Sequence, residues 1–218
     1  MNRLSFAPQP NTLSRIPRML LGNTLIGVGV AGYRLGLFGV DAFTCMNLGV
    51  SGFVGISFGN WQLLVNLAML LAVFFLSRKS IGLGTLVNMV CVGYIADFLC
   101  WLLLTLWGLL PTLPLRILFL ILGVLLAALG CALYMDAGLG TAPYDTVAPI
   151  LVNLTRGKLS FRLARIISDV TAISIGVAFC LLARNDLREI IGIGTLINAL
   201  CSGPLIQFFR THFPPKSA

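Results

Sequence analysis

Two acidic residues are the side chains of this chain best placed to bind an ion. Asp145 lies in the short apolar stretch 141–154, and Asp169 lies inside the longer apolar run 166–183. An ionisable group within an apolar segment is costly to insert into a membrane, so it is a functional candidate by default. The sequence therefore predicts a proton or cation site at Asp145 and Asp169.

Each acid also has a structural interpretation, and the sequence leaves both interpretations open. Arg165 lies four residues before Asp169, so the two side chains share one helix face and could form a local ion pair. Asp41 begins another short segment, where an acid in the first turn can cap the helix and complement its dipole. Asp145 lies deeper, past Pro143, and capping explains it less well.

Amide and hydroxyl side chains make a second group of candidates. Asn66 stands where the second half of the chain has Asp169. The motif Gly-x-Gly-Thr-Leu-x-Asn opens two apolar segments, and its polar residues are Thr85, Asn88, Thr195 and Asn198. Two such helix starts would form facing polar clusters near a pseudo-twofold axis and could contact a substrate. The alternative is hydrogen bonding between helices, worth on the order of 0.6 kcal/mol per bond.

Other kinds of chemistry lack the residues that they need. The six cysteines all lie inside apolar segments without a Cys-x-x-Cys pair, which argues against a metal centre or a disulfide. The Gly-x-Gly motifs lack the third glycine of a dinucleotide site, since Val87 and Ile197 stand in its place. The sequence shows no nucleophile paired with a histidine and no phosphate-binding loop. We therefore expect neither an enzyme nor a cofactor.

The composition requires a membrane. The 218 residues are 58% hydrophobic and only 10% charged, and their mean hydropathy is +0.97, which a soluble domain of this size could not hide from water. Several apolar runs approach the ~20 residues that cross a bilayer as a helix, namely 61–76, 86–110, 115–135, 166–183 and 190–209. The predicted fold is an all-α, polytopic protein whose partner is the lipid bilayer.

The net charge of +8 does not require nucleic acid as a partner. The Lys and Arg residues lie mostly in loops and tails between the apolar runs, where the insertion of a membrane protein places them. Residues 1–14 are expected to form an unstructured cytoplasmic tail, and 15–212 one membrane domain. We expect the bacterial inner membrane, with both termini in the cytoplasm, and a homodimer is compatible with this organisation.

The membrane domain carries an internal repeat. Residues 81–99 and 191–209 are identical at 9 of 19 positions at a constant offset of 110, against roughly two expected by chance. Upstream, at an offset of 101, the matching residues include Arg15 and Arg116, Gly22 and Gly123, Gly29 and Gly130, Tyr33 and Tyr134, and Gly39 and Gly140. The sequence therefore predicts two homologous halves, 15–107 and 113–212.

Two stretches within these halves differ from ordinary spans. Residues 41–58 are rich in glycine, and 141–154 would cover only ~21 Å as a helix, against a hydrocarbon core of ~30 Å. If both are short or re-entrant helices, the chain has six full spans, three in each half, and the halves are inverted. If both cross the membrane, the chain has eight spans in parallel repeats.

The distribution of positive charge favours the inverted arrangement by a small margin. With a cytoplasmic N-terminus, this arrangement places 11 of the 15 Lys and Arg residues inside, and the parallel arrangement places 10 of them inside. The loop 77–80 decides between the two, because the arrangements place it on opposite sides of the membrane. We adopt the inverted arrangement, with six spans and two short helices.

Two glycine-rich halves, the loop Gly138 to Asp145 with the sequence GLGTAPYD, and the two Gly-x-Gly-Thr-Leu-x-Asn helix starts together resemble the YczE/YitT-like membrane proteins of bacteria. The resemblance covers about 15–212. The first half departs from the pattern, since Gly39-Val40-Asp41-Ala42-Phe43 replaces the Pro-aromatic-Asp of the second half. The resemblance implies a membrane protein that takes part in transport.

We therefore predict a small secondary transporter or exporter of an unidentified small molecule. Asp145 and Asp169 would bind a proton or cation, and the Thr and Asn residues of the two helix starts would contact the substrate. The sequence carries no ATP-binding motif, so an ion gradient or a partner would supply the energy. The alternative is a membrane scaffold or assembly partner that does not transport.

Overall fold

The computed structural model describes residues 12–76 and 80–213, and every regular element in these ranges is a helix. The α-helices are α1 (Thr12–Gly36), α2 (Ala42–Val54), α3 (Phe58–Leu76), α4 (Leu83–Cys100), α5 (Leu113–Ala137), α6 (Val147–Leu154), α7 (Phe161–Leu182) and α8 (Ile193–His212). A π-helix continues α4, and a 3₁₀ turn precedes both α6 and α8; their bounds are Trp101–Leu106, Tyr144–Thr146 and Leu187–Glu189. The predicted all-α, polytopic fold is confirmed.

Length separates six long helices from two short ones within the described ranges. The segments that are long and apolar enough to cross a membrane are Phe58–Leu76, Leu83–Leu106, Leu113–Ala137, Leu163–Leu182 and Leu187–His212. With 25 residues, α1 is also long enough, at about 37 Å, and its arginines lie near its two ends. With 13 and 8 residues, α2 and α6 are too short to cross.

The first helix begins earlier than the sequence predicted. Residues 12–14, which we expected in the tail, are helical, and Pro17, which we expected in the first turn, lies one turn further inside α1. A proline near a helix start costs one backbone hydrogen bond at most, so it does not prevent the preceding turn from forming. The rest of the predicted tail, 1–11, and the loop residues 77–79 lie outside the described residues.

At the centre of the bundle, α1 and α5 pack backbone against backbone. A Cβ atom on Gly22 would lie only 2.7 Å from the backbone nitrogen of Tyr134, and one on Gly29 would lie 2.9 Å from the carbonyl oxygen of Gly123. Small residues allow helices in membranes to approach this closely, and close packing then holds them together. Gly22 and Gly123 are also a matching pair of the two halves.

The two central helices run in opposite directions. From Gly22 to Gly29, α1 passes along α5 from Tyr134 back to Gly123. Helices that match between the halves must run in opposite directions if the halves are inverted, and in the same direction if the halves are parallel. The observed course is therefore the one that inverted halves require.

The chain enters and leaves each short helix at the same end of the bundle. We call the end of the bundle where α1 stops the Gly36 end, and the opposite end, where α5 stops, the Ala137 end. The guanidinium carbon of Arg34 lies 4.8 Å from the ring centre of Phe58, so α1 stops where α3 starts, and α2 enters and leaves at the Gly36 end. Asn185, just after α7, lines one cleft with Arg34. Thus α7 starts at the Ala137 end, and α6 enters and leaves there.

Each loop that leads to a short helix is anchored on the start of a long helix from the other half. The carbonyl of Phe38 accepts a 2.7 Å hydrogen bond from the backbone N–H of Gly194, and the carbonyl of Leu139 accepts a 2.7 Å hydrogen bond from that of Gly84. Gly140, with a φ of 109°, adopts a left-handed conformation that lets its backbone approach the start of α4. These bonds satisfy N–H groups that have no acceptor within their own helix.

The halves differ in the packing of their third helix. In the first half α3 packs on α4, where a Cβ on Gly93 would lie 3.0 Å from the Cα of Gly59. Gly203 matches Gly93 in α8, yet no atom of another described helix lies within 4 Å of a Cβ added there. The helix α7 packs instead on α2, through a backbone contact between Gly49 and Gly176. The glycine of α4 is therefore packed against a neighbouring helix, and the matching glycine of α8 is not.

We expect Gly22→Ala to lower the apparent melting temperature of the purified protein in detergent. The new Cβ would overlap the backbone of α5, and such overpacking costs roughly 1–3 kcal/mol. Gly203→Ala is the matched control, because it adds the same methyl group to a helix where space is open. Because Pro204 follows, a Cβ at position 203 is itself disfavoured in a helix, so this variant reports the local cost of the methyl group and should lose less stability than Gly22→Ala. Equal melting temperatures for the two variants, measured by intrinsic fluorescence, would contradict the close packing of α1 on α5.

Candidate functional site

The starts of the two short helices meet between the two ends of the bundle. The ring of Phe43, in the first turn of α2, stacks on the ring of Tyr144, in the 3₁₀ turn before α6, with 4.6 Å between ring centroids and 26° between ring planes. The offset of 101 that relates Gly39 to Gly140 also relates these two residues. The candidate site is built beside this contact.

Arg165 of α7 binds both of the acids that the sequence singled out. Its Nη1 lies 3.2 Å from Oδ1 of Asp145, and its Nε lies 3.3 Å from Oδ2 of Asp169. The hydroxyl of Tyr144 donates a 2.6 Å hydrogen bond to Oδ1 of Asp169. The guanidinium carbon also lies 5.0 Å from the centre of the tyrosine ring. These four side chains form one connected group, which we call the Arg165 cluster.

The side chains of the Arg165 cluster are partly exposed at the surface of the bundle. The side chains of Asp145 and Asp169 are each 33% exposed, and that of Arg165 is 38% exposed. Because two carboxylates share one guanidinium, the ionised cluster has a net negative charge. It can therefore attract a cation, or release one carboxylate from Arg165 when that carboxylate takes up a proton. The predicted pair of Arg165 with Asp169 is present, and the fold adds Asp145 to it.

Asp41 caps the start of α2. Its Oδ1 accepts hydrogen bonds from the backbone N–H groups of Phe43, at 3.1 Å, and Thr44, at 3.0 Å. Asp41 lies outside the spanning helices; burial raises the pKa of its carboxyl, and the hydrogen bonds from Thr44 oppose the rise. The charge of Asp169 adds to this rise in pKa, and that of Arg165 opposes it. The contacts of Asp41 are therefore those of the helix cap that we considered.

Asn66 has no hydrogen-bond partner among the described residues, although it is only 1% exposed. The sequence matches Asn66 to Asp169, and Asp169 receives its hydrogen bond from the hydroxyl of Tyr144. In the first half Phe43 stands at the position of Tyr144, and a phenyl ring has no hydroxyl to donate. The first half therefore has no counterpart of the phenol that donates to Asp169.

Thr85 and Asn88 make contacts that hold helices together. The hydroxyl of Thr85 accepts a hydrogen bond from the backbone N–H of Gly82, at 3.1 Å, and donates one to the carbonyl of Thr141, at 2.8 Å. The amide of Asn88 donates a 2.7 Å hydrogen bond to Oδ1 of Asn23 in α1. Thr85 thus ties the start of α4 to the loop that leads to α6, and Asn88 ties α4 to α1.

The two polar helix starts do not face each other. Thr195 and Asn198 are buried toward the Gly36 end, where α8 begins beside Phe38. Thr85 lies toward the Ala137 end, where α4 begins beside Leu139. The prediction of facing clusters is therefore wrong, because α4 and α8 run in opposite directions. Each start instead holds the loop that leads to one short helix.

Several polar residues of this region were not predicted from the sequence. Asn23 bonds to α4, and its only signal is an amide inside an apolar helix. Asn47 and Gln62 are buried, and each has an amide oxygen without a partner in the described part of the chain. Tyr144 belongs to the loop motif quoted above, but its bond to Asp169 depends on how α6 folds back onto α7. No local pattern encodes that contact.

Known sequences place these features in a family. A model described as "Family of unknown function (DUF6198)" matches residues 13–211, which is most of the chain. The chain belongs to the DUF6198 family. No solved structure matches it.

Three relatives extend this result beyond the family model. The uncharacterized membrane protein YczE of Bacillus subtilis (strain 168) is 25% identical over 183 residues, which cover 84% of this chain and 77% of YczE. An uncharacterized protein of Haemophilus influenzae is 28% identical over 193 residues, covering 88% and 81% of the two chains. The uncharacterized protein YyaS of B. subtilis is 24% identical over 205 residues, covering 88% and 95%. The resemblance to YczE-like membrane proteins is confirmed.

We expect a double-mutant cycle to measure the coupling between Arg165 and Asp169. Arg165→Gln leaves two carboxylates without their shared cation, so it should lower the melting temperature more than Asp169→Asn does. The double variant should recover part of this loss. Because these side chains are partly exposed, the coupling free energy should be about 0.5–1 kcal/mol. Strictly additive losses would show that the pair contributes nothing to stability.

Proposed function

We propose that this member of the DUF6198 family is a small secondary transporter or exporter of an unidentified small molecule. The observation that carries the proposal is the meeting of two re-entrant helix starts, at Phe43 and Tyr144, beside the partly exposed Arg165 cluster. Irregular backbone at membrane depth occurs where it lines a cavity or is buried in protein. In transporters such broken helices surround the substrate and ion sites.

We infer further that the two halves form an inverted repeat and exchange their packing during transport. The helix α7 packs on α2, whereas α6, which matches α2, reaches α3 mainly through the turn before it. Gly203 is open where the matching Gly93 is occupied. In an inverted repeat, exchanging the arrangements of the two halves produces a second conformation that opens to the other side. The unequal packing supports such a pair of conformations.

In this proposal the Arg165 cluster binds the coupling proton or cation. Protonation of Asp145 would release it from Arg165 and weaken the attachment of the turn before α6 to α7. Asp169 would keep its bond from Tyr144 during this change. The cluster would thereby link the occupancy of the site to the packing of a short helix.

We also infer that the protein lies in the bacterial inner membrane with the Ala137 end in the cytoplasm. By sequence position, 11 of the 15 Lys and Arg residues belong to this end, where positive charge accumulates in inner-membrane proteins. Both the start of α1 and the end of α8 lie there, since Arg18 and Arg210 each form an ion pair with Asp136. This orientation places both termini in the cytoplasm.

The second candidate function is that of a membrane scaffold or assembly partner that does not transport. The open face of α8 around Gly203 favours it, because a helix of another protein could take the place that α3 takes on α4. A second copy of this chain, in a homodimer, is one such partner. Neither candidate includes an enzymatic activity or a cofactor.

We expect Asp145→Asn to reduce transport by about tenfold, the effect of losing roughly 1.4 kcal/mol of stabilisation in the rate-limiting step. Asp41→Asn is the control and should keep most of the activity, since asparagine also caps a helix. The assay loads proteoliposomes with a bacterial metabolite extract and follows the loss of each compound by mass spectrometry under a proton or sodium gradient. Fluxes that never depend on the protein would contradict transport. Equal fluxes in the two variants would contradict the site.

The orientation can be tested with single cysteines in a variant that lacks the six native ones. We expect Ser80→Cys, just before α4 at the Ala137 end, to react with an impermeant maleimide only after the cells are opened. Thr112→Cys, just before α5 at the Gly36 end, is the control and should react in intact spheroplasts. Labelling of Ser80→Cys in intact spheroplasts would contradict the proposed arrangement.

A further inference from the structure

Three buried amides outside the Arg165 cluster have oxygen atoms without a hydrogen-bond donor in the described ranges. They belong to Asn47 of α2 and to Gln62 and Asn66 of α3, which are 0%, 4% and 1% exposed. Buried polar atoms in native proteins are nearly always satisfied, because an unsatisfied one keeps the full cost of losing water. Three of them in one region call for a common explanation.

The three amides lie in the same part of the fold. Gln62 and Asn66 are four residues apart on the buried face of α3. The helices α2 and α3 form a hairpin and contact each other. Asn47 lies nine residues before Ile56, the middle of the connection between them, and Asn66 lies ten residues after it. Residues at nearly equal distances from a hairpin turn lie at the same depth, so Asn47 and Asn66 are level with each other.

Oxygen atoms are the groups that these side chains can offer to a ligand. Nδ2 of Asn47 donates a 2.8 Å hydrogen bond to the carbonyl of Phe43, which identifies Oδ1 as the free atom. Oε1 of Gln62 lies toward α4, 3.3 Å from the position of a Cβ on Gly93. Asn66 has both amide atoms free and can turn its oxygen inward. Neutral carbonyl oxygens are the ligands that channels and transporters use for alkali-metal ions.

The Gly36 end of the bundle is open near these amides, although none of the three lines the opening. A cleft of about 540 Å³ opens there, and its wall includes Phe58, one turn of α3 before Gln62. The charged residues of the described wall are Arg34 and the three acids Asp97, Asp186 and Glu189. A cleft with this excess of negative charge raises the local concentration of cations.

We propose that Asn47, Gln62 and Asn66 bind a monovalent metal cation between α2, α3 and α4. All three ligands are neutral, and divalent ions in proteins are usually held by carboxylates, so the site favours a single positive charge. The role that we give this cation, that of a second coupling ion, rests on the proposed transport function. Binding itself can be measured without transport.

The test measures the apparent melting temperature of the purified full-length protein in NaCl, KCl or choline chloride at equal ionic strength. A bound cation stabilises the folded protein by mass action. We therefore expect a saturable rise of about 2–4 °C in NaCl or KCl over choline chloride. Equal melting temperatures in the three salts would overturn the proposal, since the amides would then hold water alone.

Variants of α3 locate the effect. Asn66→Leu should abolish the rise, and Asn66→Asp, which introduces the residue type of the matching Asp169, should keep or increase it. Asn60→Leu makes the same change as the first variant at an exposed position of α3 and should leave the rise intact. A rise that persists in Asn66→Leu would overturn the proposal. If Asn66→Leu does not fold, Gln62→Met replaces it in the same comparison.

The outcome for this site is separate from the outcome for transport. A cation-dependent rise that depends on Asn66, in a protein for which no metabolite flux is found, would support the cation site and reject the proposed function. Metabolite transport by a protein whose melting temperature does not depend on the cation would support the proposed function and reject the cation site.

Discussion

The close antiparallel contact of α1 with α5 is the constraint on which the rest of the structure depends. Because Gly22 and Gly29 carry no side chains, the two backbones touch, and neither helix can rotate or slide without a clash. Their opposite directions send the loops after them to opposite ends of the bundle. Each loop then meets the start of a long helix from the other half and turns back toward the centre, where Phe43 and Tyr144 stack.

Around that stack, small differences between matching residues separate two chemically distinct sides. The second half has a phenol, a carboxylate and the guanidinium of Arg165, and their hydrogen bonds and ion pairs are satisfied by one another. The first half has a phenyl ring and the amide of Asn66, which finds no partner in the described residues. One scaffold thus carries a charged group in its second half and an unpartnered amide in its first half.

Local patterns in the sequence predicted what depends on neighbouring residues. The apolar runs predicted long helices, because a membrane requires each span to satisfy its own backbone, and four-residue spacing predicted the pair of Arg165 with Asp169. The bonds from Arg165 to Asp145 and from Asn88 to Asn23 join residues that are 20 and 65 positions apart, so they depend on tertiary packing. Identical helix starts likewise predicted identical surroundings, but the different packing of Gly93 and Gly203 arises from contacts of α7 that lie outside the motif.

The anchoring of Phe38 and Leu139 on helices of the opposite half has a consequence for biosynthesis. The ribosome completes α4 before Leu139 exists, and it completes the loop at Phe38 long before Gly194 exists. Until those residues emerge, a backbone donor at one helix start and a backbone acceptor in one loop lack their final partners, which is costly inside a membrane. The first half therefore cannot reach its final form while it is being inserted, because its first loop is closed only after α8 has been made.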